Sequence, residues 1–284
     1  MSERSITTDA SSESAFLRGL FAPVDEERTL TELTVRGTLP DYLDGRYLRN
    51  GSNPIGAVDP TSYNWFLGAG MVHGLRLADG EARWYRNRWV RAAAVTRALG
   101  EPPPTGRWKG GFDFAANTNV IGHAGRTLAV VEAGASPYEL TDELDTVGRC
   151  DFHGTLDGAF SAHPTRDPVT GELHTVSYNP MWGNRLRYTV AGTDGRVRRT
   201  VPITVTGQPM VHDFSLTESH VVIYDLPVTM DLSARPGALG AMARAWGTRA
   251  VPGLVQRLIA KGSATGRVST SDLNLPYRWN PDYP

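Results

Sequence analysis

The sequence predicts an all-β fold, a β-propeller, and three observations point to it. Glycine (30) and proline (19) together make up about 17% of the 284 residues, against a usual ~12%, so turns are frequent, which argues against a helical bundle. Strand–turn–strand patterns recur, with turns centred near positions 79, 124, 170 and 218, spaced by 45, 46 and 48 residues. Hydrophobic residues make up 40% and charged residues 21%, which suits a folded core and not a disordered chain.

Each element follows from local chemistry. Met71–Asn87 reads as two strands about Asp79-Gly80, and Asn119–Ala133 as two strands about Ala124-Gly125. Ala162–Tyr178 turns at Thr170-Gly171 and Val211–Leu226 near Glu218-Ser219. In every case β-branched and aromatic residues flank a turn pair. Leu186–Val205, turning at Thr193-Asp194-Gly195, supplies the outer strands of one blade. A period in the mid-forties is that of four-stranded propeller blades. A β-sandwich with fortuitous spacing is the competing fold.

Two segments stand apart. Residues 1–30 are polar and rich in Ser, Thr and Glu, and are expected to form a mobile arm with one short helical turn near Phe16–Leu20. Residues 232–271 carry Arg235, Arg244, Arg249, Arg257, Lys261 and Arg267 and no acidic residue. Within them Leu239, Met242, Ala243 and Trp246 fall at helical spacing, as do Val251, Leu254, Val255, Leu258 and Ile259, with Pro252 and Gly253 between the two sets. A pair of short amphipathic helices with basic polar faces is predicted over 232–262. Such helices suit either an interfacial membrane anchor or a cap over a blade edge or pocket.

The formal net charge of −1 excludes a globally basic nucleic-acid binder. The single cysteine, Cys150, cannot form an intrachain disulfide and is expected to be a buried, inert thiol in a reducing, cytoplasmic setting. The first residues lack a basic stretch followed by an apolar one, so no signal peptide is expected. No run of about 18 apolar residues occurs. There is no GxSxG elbow and no phosphate-binding loop, and Gly68, Gly70 and Gly74 do not form GxGxxG.

The seven histidines are 73, 123, 153, 163, 174, 212 and 220. None has a partner at local metal spacing, so a metal centre would need ligands from separate strands. His123 and His220 lie at turn tips and are expected to be exposed. His163 and His212 each open a repeat unit, which in a propeller places them at the same end of adjacent blades.

LPDYLDGRYLRNGSNP (39–54), YNWFLGAGMVHGLRL (63–77), EAGASPYEL (132–140), FSAHPTRDPVTGELH (160–174) and MVHDFSLTESHVVIYDLP (210–227) together resemble the carotenoid cleavage oxygenase family. The resemblance runs from about Leu33 to the C-terminus. It implies a seven-bladed β-propeller, incomplete in this chain, over residues 31–284, with a helical insertion at 232–262. It further implies Fe(II) held by four histidines. Two of these fall on His163, in the AHP block, and His212, in the VHDF block. Glu132, in the EAG block, matches a glutamate that orients a ligand imidazole. Neutral imidazoles suit Fe(II), and a carboxylate on the far ring N–H fixes the tautomer. The implied reaction is cleavage of a conjugated C=C bond by O2 to give two carbonyl products. The implied partners are an apolar polyene and O2, with peripheral membrane contact and no nucleic acid.

Three departures qualify the resemblance. The chain is shorter than complete members, so the remaining iron histidines are expected beyond Pro284, and the 284-residue chain is expected to bind iron poorly and be inactive. Leu67 and Ala69 replace two aspartates of the family's WFDGDGMVH block, which touches local packing more than chemistry. Val131 stands where stilbenoid-cleaving relatives carry lysine, favouring a carotenoid or apocarotenoid over a hydroxylated stilbene. With the helices read as a membrane and substrate-entry patch, Leu239, Met242, Trp246, Leu254 and Leu258 are its candidates. The alternatives are a stilbenoid-cleaving dioxygenase of the same family, a non-catalytic truncated propeller that binds an apolar ligand, an isomerase that consumes no O2, and a calcium-dependent propeller hydrolase or lactonase. Asn117, Asn119 and Asp213 supply oxygen donors for the last but match no calcium loop.

Overall fold

The computed structural model describes residues 14–60, 63–107, 113, 116–133, 135–230, 241, 249–265 and 277–283. Antiparallel sheets follow one another along the chain. The first holds β1 (Thr29–Leu30), β2 (Gly45–Ser52), β3 (Gly70–Ala78) and β4 (Glu81–Trp89) in the order β1-β4-β3-β2. The second is a meander of β5 (Asn119–His123), β6 (Arg126–Val130), β7 (Tyr138–Leu140) and β8 (Thr146–Arg149). The third repeats that order with β9 (Thr165–Arg166), β10 (Leu173–Tyr178), β11 (Arg185–Ala191) and β12 (Val197–Thr204). Two strand pairs follow, β13 (Phe214–Leu216) with β14 (Val221–Ile223), and β15 (Val228–Met230) with β16 (Tyr277–Trp279).

The all-β reading therefore holds, with blade-like sheets that do not close a ring among the described residues. Every anticipated turn falls between paired strands. Asp79-Gly80 and Ala124-Gly125 all have positive φ, the backbone that a two-residue hairpin of right-handed twist requires. The repeat is looser than the spacing suggests. The turn at 79 joins the two central strands of its sheet, whereas those at 124 and 170 join an edge strand to a central one. The interval from 124 to 170 relates like hairpins, and the interval from 79 to 124 does not.

The core lies in slabs between neighbouring sheets. Leu48, Val72, Trp84, Ala129, Tyr138 and Leu144 pack the first sheet on the second. Gly74 marks the closest approach there, since a Cβ on it would stand 2.8 Å from Leu144 Cδ1 and 3.0 Å from Leu48 Cδ2. Leu128, Val130, Phe152, Phe160, Leu173 and Ala191 join the second sheet to the third. All six residues of β10 are buried, as expected for a strand covered on both faces. Two asparagines latch the sheets together. Asn50 Nδ2 donates to the carbonyls of Ala116 (2.6 Å) and Asn119 (2.9 Å), and Asn119 Nδ2 donates to that of Ala162 (3.0 Å).

Two short 3-10 turns, Ala15–Leu17 and Gly19–Phe21, lie where the sequence suggests one. Leu67 closes another 3-10 turn, Trp65–Leu67, and Ala69 packs beside Met71, Trp89 and Val95, so both replacements are accommodated locally. A helix absent from the sequence reading, α1 (Ala93–Leu99), ends on Gly100 in the left-handed conformation, a standard helix stop. Of the two predicted basic helices, the second is α2 (Gly253–Ala264). The first, with Leu239, Met242 and Trp246, lies outside the described residues.

Candidate metal centre

Three strand ends from three successive sheets meet at one point. Glu132 follows the C-terminal end of β6, His163 precedes β9, and His212 precedes β13. Strand ends are open to side chains because pairing has just stopped, and the buried residues beside them hold the backbone. Val131, Ala133, Ala135, Val176, Tyr178, Met181, Leu186, Val211 and Phe214 form that support. Ala133, next to the glutamate, has φ 63°. That conformation is costly for a residue with a Cβ, by about 1–2 kcal/mol, so the surrounding packing sets the path of the loop.

His212 Nδ1 stands 2.5 Å from Glu132 Oε1. His163 Nε2 stands 3.1 Å from the same oxygen. The His163 contact is short but off-axis: Nε2 is buried and lacks a well-aligned hydrogen-bond partner. The two imidazole rings lie 4.1 Å apart between centroids, tilted by 44°. Tyr178 donates its hydroxyl to the other carboxylate oxygen, Oε2, at 3.0 Å, and the Tyr277 hydroxyl lies 3.2 Å from that of Tyr178. The short contact with Glu132 raises the His163 pKa above 6.5. Burial opposes the rise, and the charges of Glu132 and Asp213 reinforce it.

Among the described residues, Glu132, His163 and His212 form one group with ligand atoms all within 4.8 Å of each other. The set fits a divalent transition metal: two imidazoles, one carboxylate, and a buried ring nitrogen without an aligned partner. It does not fit Ca2+, which wants six to eight oxygens. Asn117 and Asn119 give their amide N–H groups to the carbonyls of Phe66, Gly68 and Ala162, so they are structural. The sequence singles out His163, His212 and Glu132, and the structure brings all three together. It gives no signal for Tyr178 or Tyr277, whose hydroxyls are found only in the fold.

The remaining histidines lie elsewhere. His220 is exposed, as expected. His123 is not: it is 4% exposed, with Nε2 2.9 Å from the Gly192 carbonyl and Nδ1 3.3 Å from Arg166. Its turn is covered by the third sheet, which corrects the expectation of an exposed tip. His73 and His174 face Tyr85 and Tyr188 hydroxyls at 2.8 and 2.6 Å. Cys150 is buried, and burial raises its pKa, as expected of an inert thiol. Leu254 and Leu258 on α2 are 72% and 63% exposed, while Val251 packs inward on the core beneath the site.

Residues 21–257 match the family described as retinal pigment epithelial membrane protein. The chain is 53% identical to the carotenoid cleavage oxygenase of Mycobacterium tuberculosis, over 97% of this chain and 56% of that protein. It is 35% identical to carotenoid 9,10(9',10')-cleavage dioxygenase 1 of Arabidopsis thaliana, over 78% of this chain and 46% of that one. The chain thus spans about half the length of the curated relatives it matches. Among solved structures it superposes on the lignostilbene dioxygenase of Pseudomonas brassicacearum with TM-score 0.68 and 28% identity, over 80% of this chain and 49% of that one. It superposes on cobalt-substituted Synechocystis ACO with TM-score 0.62 and 23% identity, over 81% and 51%, a likeness of fold.

Proposed function

The chain belongs to the retinal pigment epithelial membrane protein family, that of the carotenoid cleavage oxygenases, and from that premise we propose that it carries part of the iron centre of a carotenoid- or apocarotenoid-cleaving dioxygenase. One observation carries the reading: a single carboxylate, Glu132, anchors His212 through Nδ1 beside the buried Nε2 of His163. His163 and His212 would hold Fe(II), and Glu132 would orient His212. With Nδ1 committed to the carboxylate, His212 keeps its Nε2 lone pair free for the metal. Bound Fe(II) supplies the redox chemistry by which O2 cleaves a conjugated C=C bond into two carbonyl products.

The chain's own residues do the rest. Glu132 sets the tautomer and plane of the His212 ring. The apolar residues Val131, Ala133, Val176 and Val211 pack behind the centre, while the His212 side chain stays exposed. Val131 is 5% exposed and offers no polar group to a phenol, which supports a polyene over a stilbenoid. The 53% identity to a carotenoid cleavage oxygenase supports the same choice. The 28% likeness to a lignostilbene dioxygenase keeps stilbenoid cleavage as the second reading. We further propose peripheral membrane contact through the exposed Leu254 and Leu258 of α2, flanked by Arg257 and Lys261, in a cytoplasmic protein.

The test is anaerobic Fe(II) loading followed by O2 and a β-apocarotenal, with both carbonyl products read by chromatography. A protein of the relatives' full length that contains these residues is expected to give both products. The 284-residue chain alone is expected to hold iron weakly and turn over nothing. Stoichiometric, tightly held iron in the 284-residue chain would contradict the view that its two histidines are an incomplete set. Faster cleavage of a stilbenoid than of the apocarotenal would favour the second reading.

A further inference from the structure

The Glu132 carboxylate has two oxygens, and the second does not face an imidazole. Oε2 accepts the hydroxyl of Tyr178 at 3.0 Å. An ionised carboxylate only accepts, so Tyr178 has no proton left for its other neighbour, and Tyr277, at 3.2 Å, must donate to the Tyr178 oxygen. The result is a directed chain, Tyr277 to Tyr178 and Tyr178 to Glu132, whose opposite carboxylate oxygen lies 2.5 Å from His212 Nδ1 and 3.1 Å from His163 Nε2. Tyr178 is 6% exposed and ends β10, a strand buried throughout. It is the rigid member. Glu132 sits on a loop after β6, and a terminal carboxylate torsion is soft. With only Oε1 held, between His163 and the exposed His212, the position of Oε2 and hence the carboxylate plane would be left unfixed.

We propose that Tyr178 is a positioning residue of the centre, clamping Glu132 Oε2 so that Oε1 holds His212 with Nδ1 protonated and Nε2 turned toward the metal. Tyr277 supports it by occupying the Tyr178 lone pair. The support has long reach: Tyr277 lies 99 residues along the chain and enters on β16, beyond the 232–271 segment. The inference rests on the metal reading given above, and it also makes a claim about the metal-free chain.

The variants are Tyr178→Phe and Tyr277→Phe, which remove one oxygen each and keep the rings packed, with His212→Ala as the control for the metal reading. Two readouts are taken. The first is Co(II) affinity, from visible absorption during titration of the 284-residue chain. The second is the imidazole 15N shifts of His212 in the metal-free chain, which report the tautomer directly. Circular dichroism and thermal melting show whether each variant folds. Tyr178→Phe is expected to weaken Co(II) binding by about 10- to 100-fold, the usual effect of losing a partner behind a metal ligand. It is also expected to shift His212 from the Nδ1-protonated form toward a mixture, at unchanged circular dichroism. Tyr277→Phe should do the same to a smaller degree. Unchanged 15N shifts in folded Tyr178→Phe would overturn the inference, whatever the metal does. If wild type binds Co(II) and His212→Ala binds it equally well, the metal reading fails; if neither binds measurably, that agrees with the weak metal binding expected of the 284-residue chain. The tautomer shift then still decides the positioning role. If Tyr178→Phe only unfolds the chain, Tyr277→Phe carries the decision: a moved His212 tautomer supports the clamp, and an unmoved one overturns it.

Discussion

His212 Nδ1 and Glu132 Oε1 stand 2.5 Å apart although their residues are 80 positions apart in the sequence. The contact places one ring nitrogen against the carboxylate and leaves the other facing away. Replacing Glu132 by Ala should therefore loosen His212 without removing either ligand. Metal affinity is expected to fall about 10- to 100-fold, measured by competition with a chelating dye. Undiminished affinity would show that the imidazole is held by something else.

Acidity should act on this chain in two opposed ways. His163 has a raised pKa, so in the folded state it binds its proton more readily than in the unfolded one. It adds stability in full below pH ~6.5, and that gain is lost as pH rises through the folded value. His73 and His123 have lowered values, chiefly from burial, so they cost stability as pH falls from ~6.5 through their folded values. Without metal, melting temperature is expected to peak near pH 6.5 as far as these groups decide it, and Glu132→Gln should flatten the limb above the peak. Metal loading needs neutral imidazole, so affinity should begin to drop above pH 6.5 as pH is lowered. Affinity unchanged from pH 8 to 6 would remove His163 from the ligand set.

Between α1 and β5, Asp113 sits in a buried charge pair. Asp113 and Arg149 side chains are 2% and 8% exposed, and Arg149 Nε reaches Asp113 Oδ2 at 2.8 Å while the Tyr138 hydroxyl reaches Oδ1 at 2.5 Å. Removing the carboxylate takes the charge partner from a largely buried guanidinium that keeps the Pro104 carbonyl, a loss that typically costs about 3–5 kcal/mol. Asp113→Ala is expected to lower the denaturant midpoint accordingly. A cost below 1 kcal/mol would mean that water reaches the site.

Leu254 and Leu258 lie one turn apart and face outward on α2. If they enter a lipid boundary, Leu254→Asp with Leu258→Asp should abolish flotation with anionic liposomes while leaving the melting temperature within a degree or two, since neither side chain is buried. Equal flotation of the variant would end the membrane proposal for this helix.

Much of this was legible in the residues. Hairpins with Asp-Gly or Ala-Gly turns declare themselves because their chemistry is local, and His163, His212 and Glu132 sit in recognisable sequence blocks. What was hidden depends on contacts between sheets. His123 occupies a turn tip and would be exposed in an isolated hairpin, but Gly192 and Arg166 of the third sheet cover it. The clamp of Tyr178 and Tyr277 has no sequence pattern at all, because each tyrosine alone reads as an ordinary core residue of a strand. The turn at 79 misled by numerical coincidence: spacing reports intervals along the chain and not which pair of strands a turn joins.

Because Glu132, His163 and His212 come from three successive sheets, the centre exists only where all three have docked in register. A bound metal would then act as a rivet through three plates. It would add RT ln(1+[M]/Kd) to the stability of the docked state, about 2.7 kcal/mol at a hundredfold excess over Kd, and nothing to any sheet alone. Loading would thus proofread assembly: chains with one sheet displaced would stay empty. Chelation should accelerate amide exchange at the ends of β6, β9 and β13 together, not one after another.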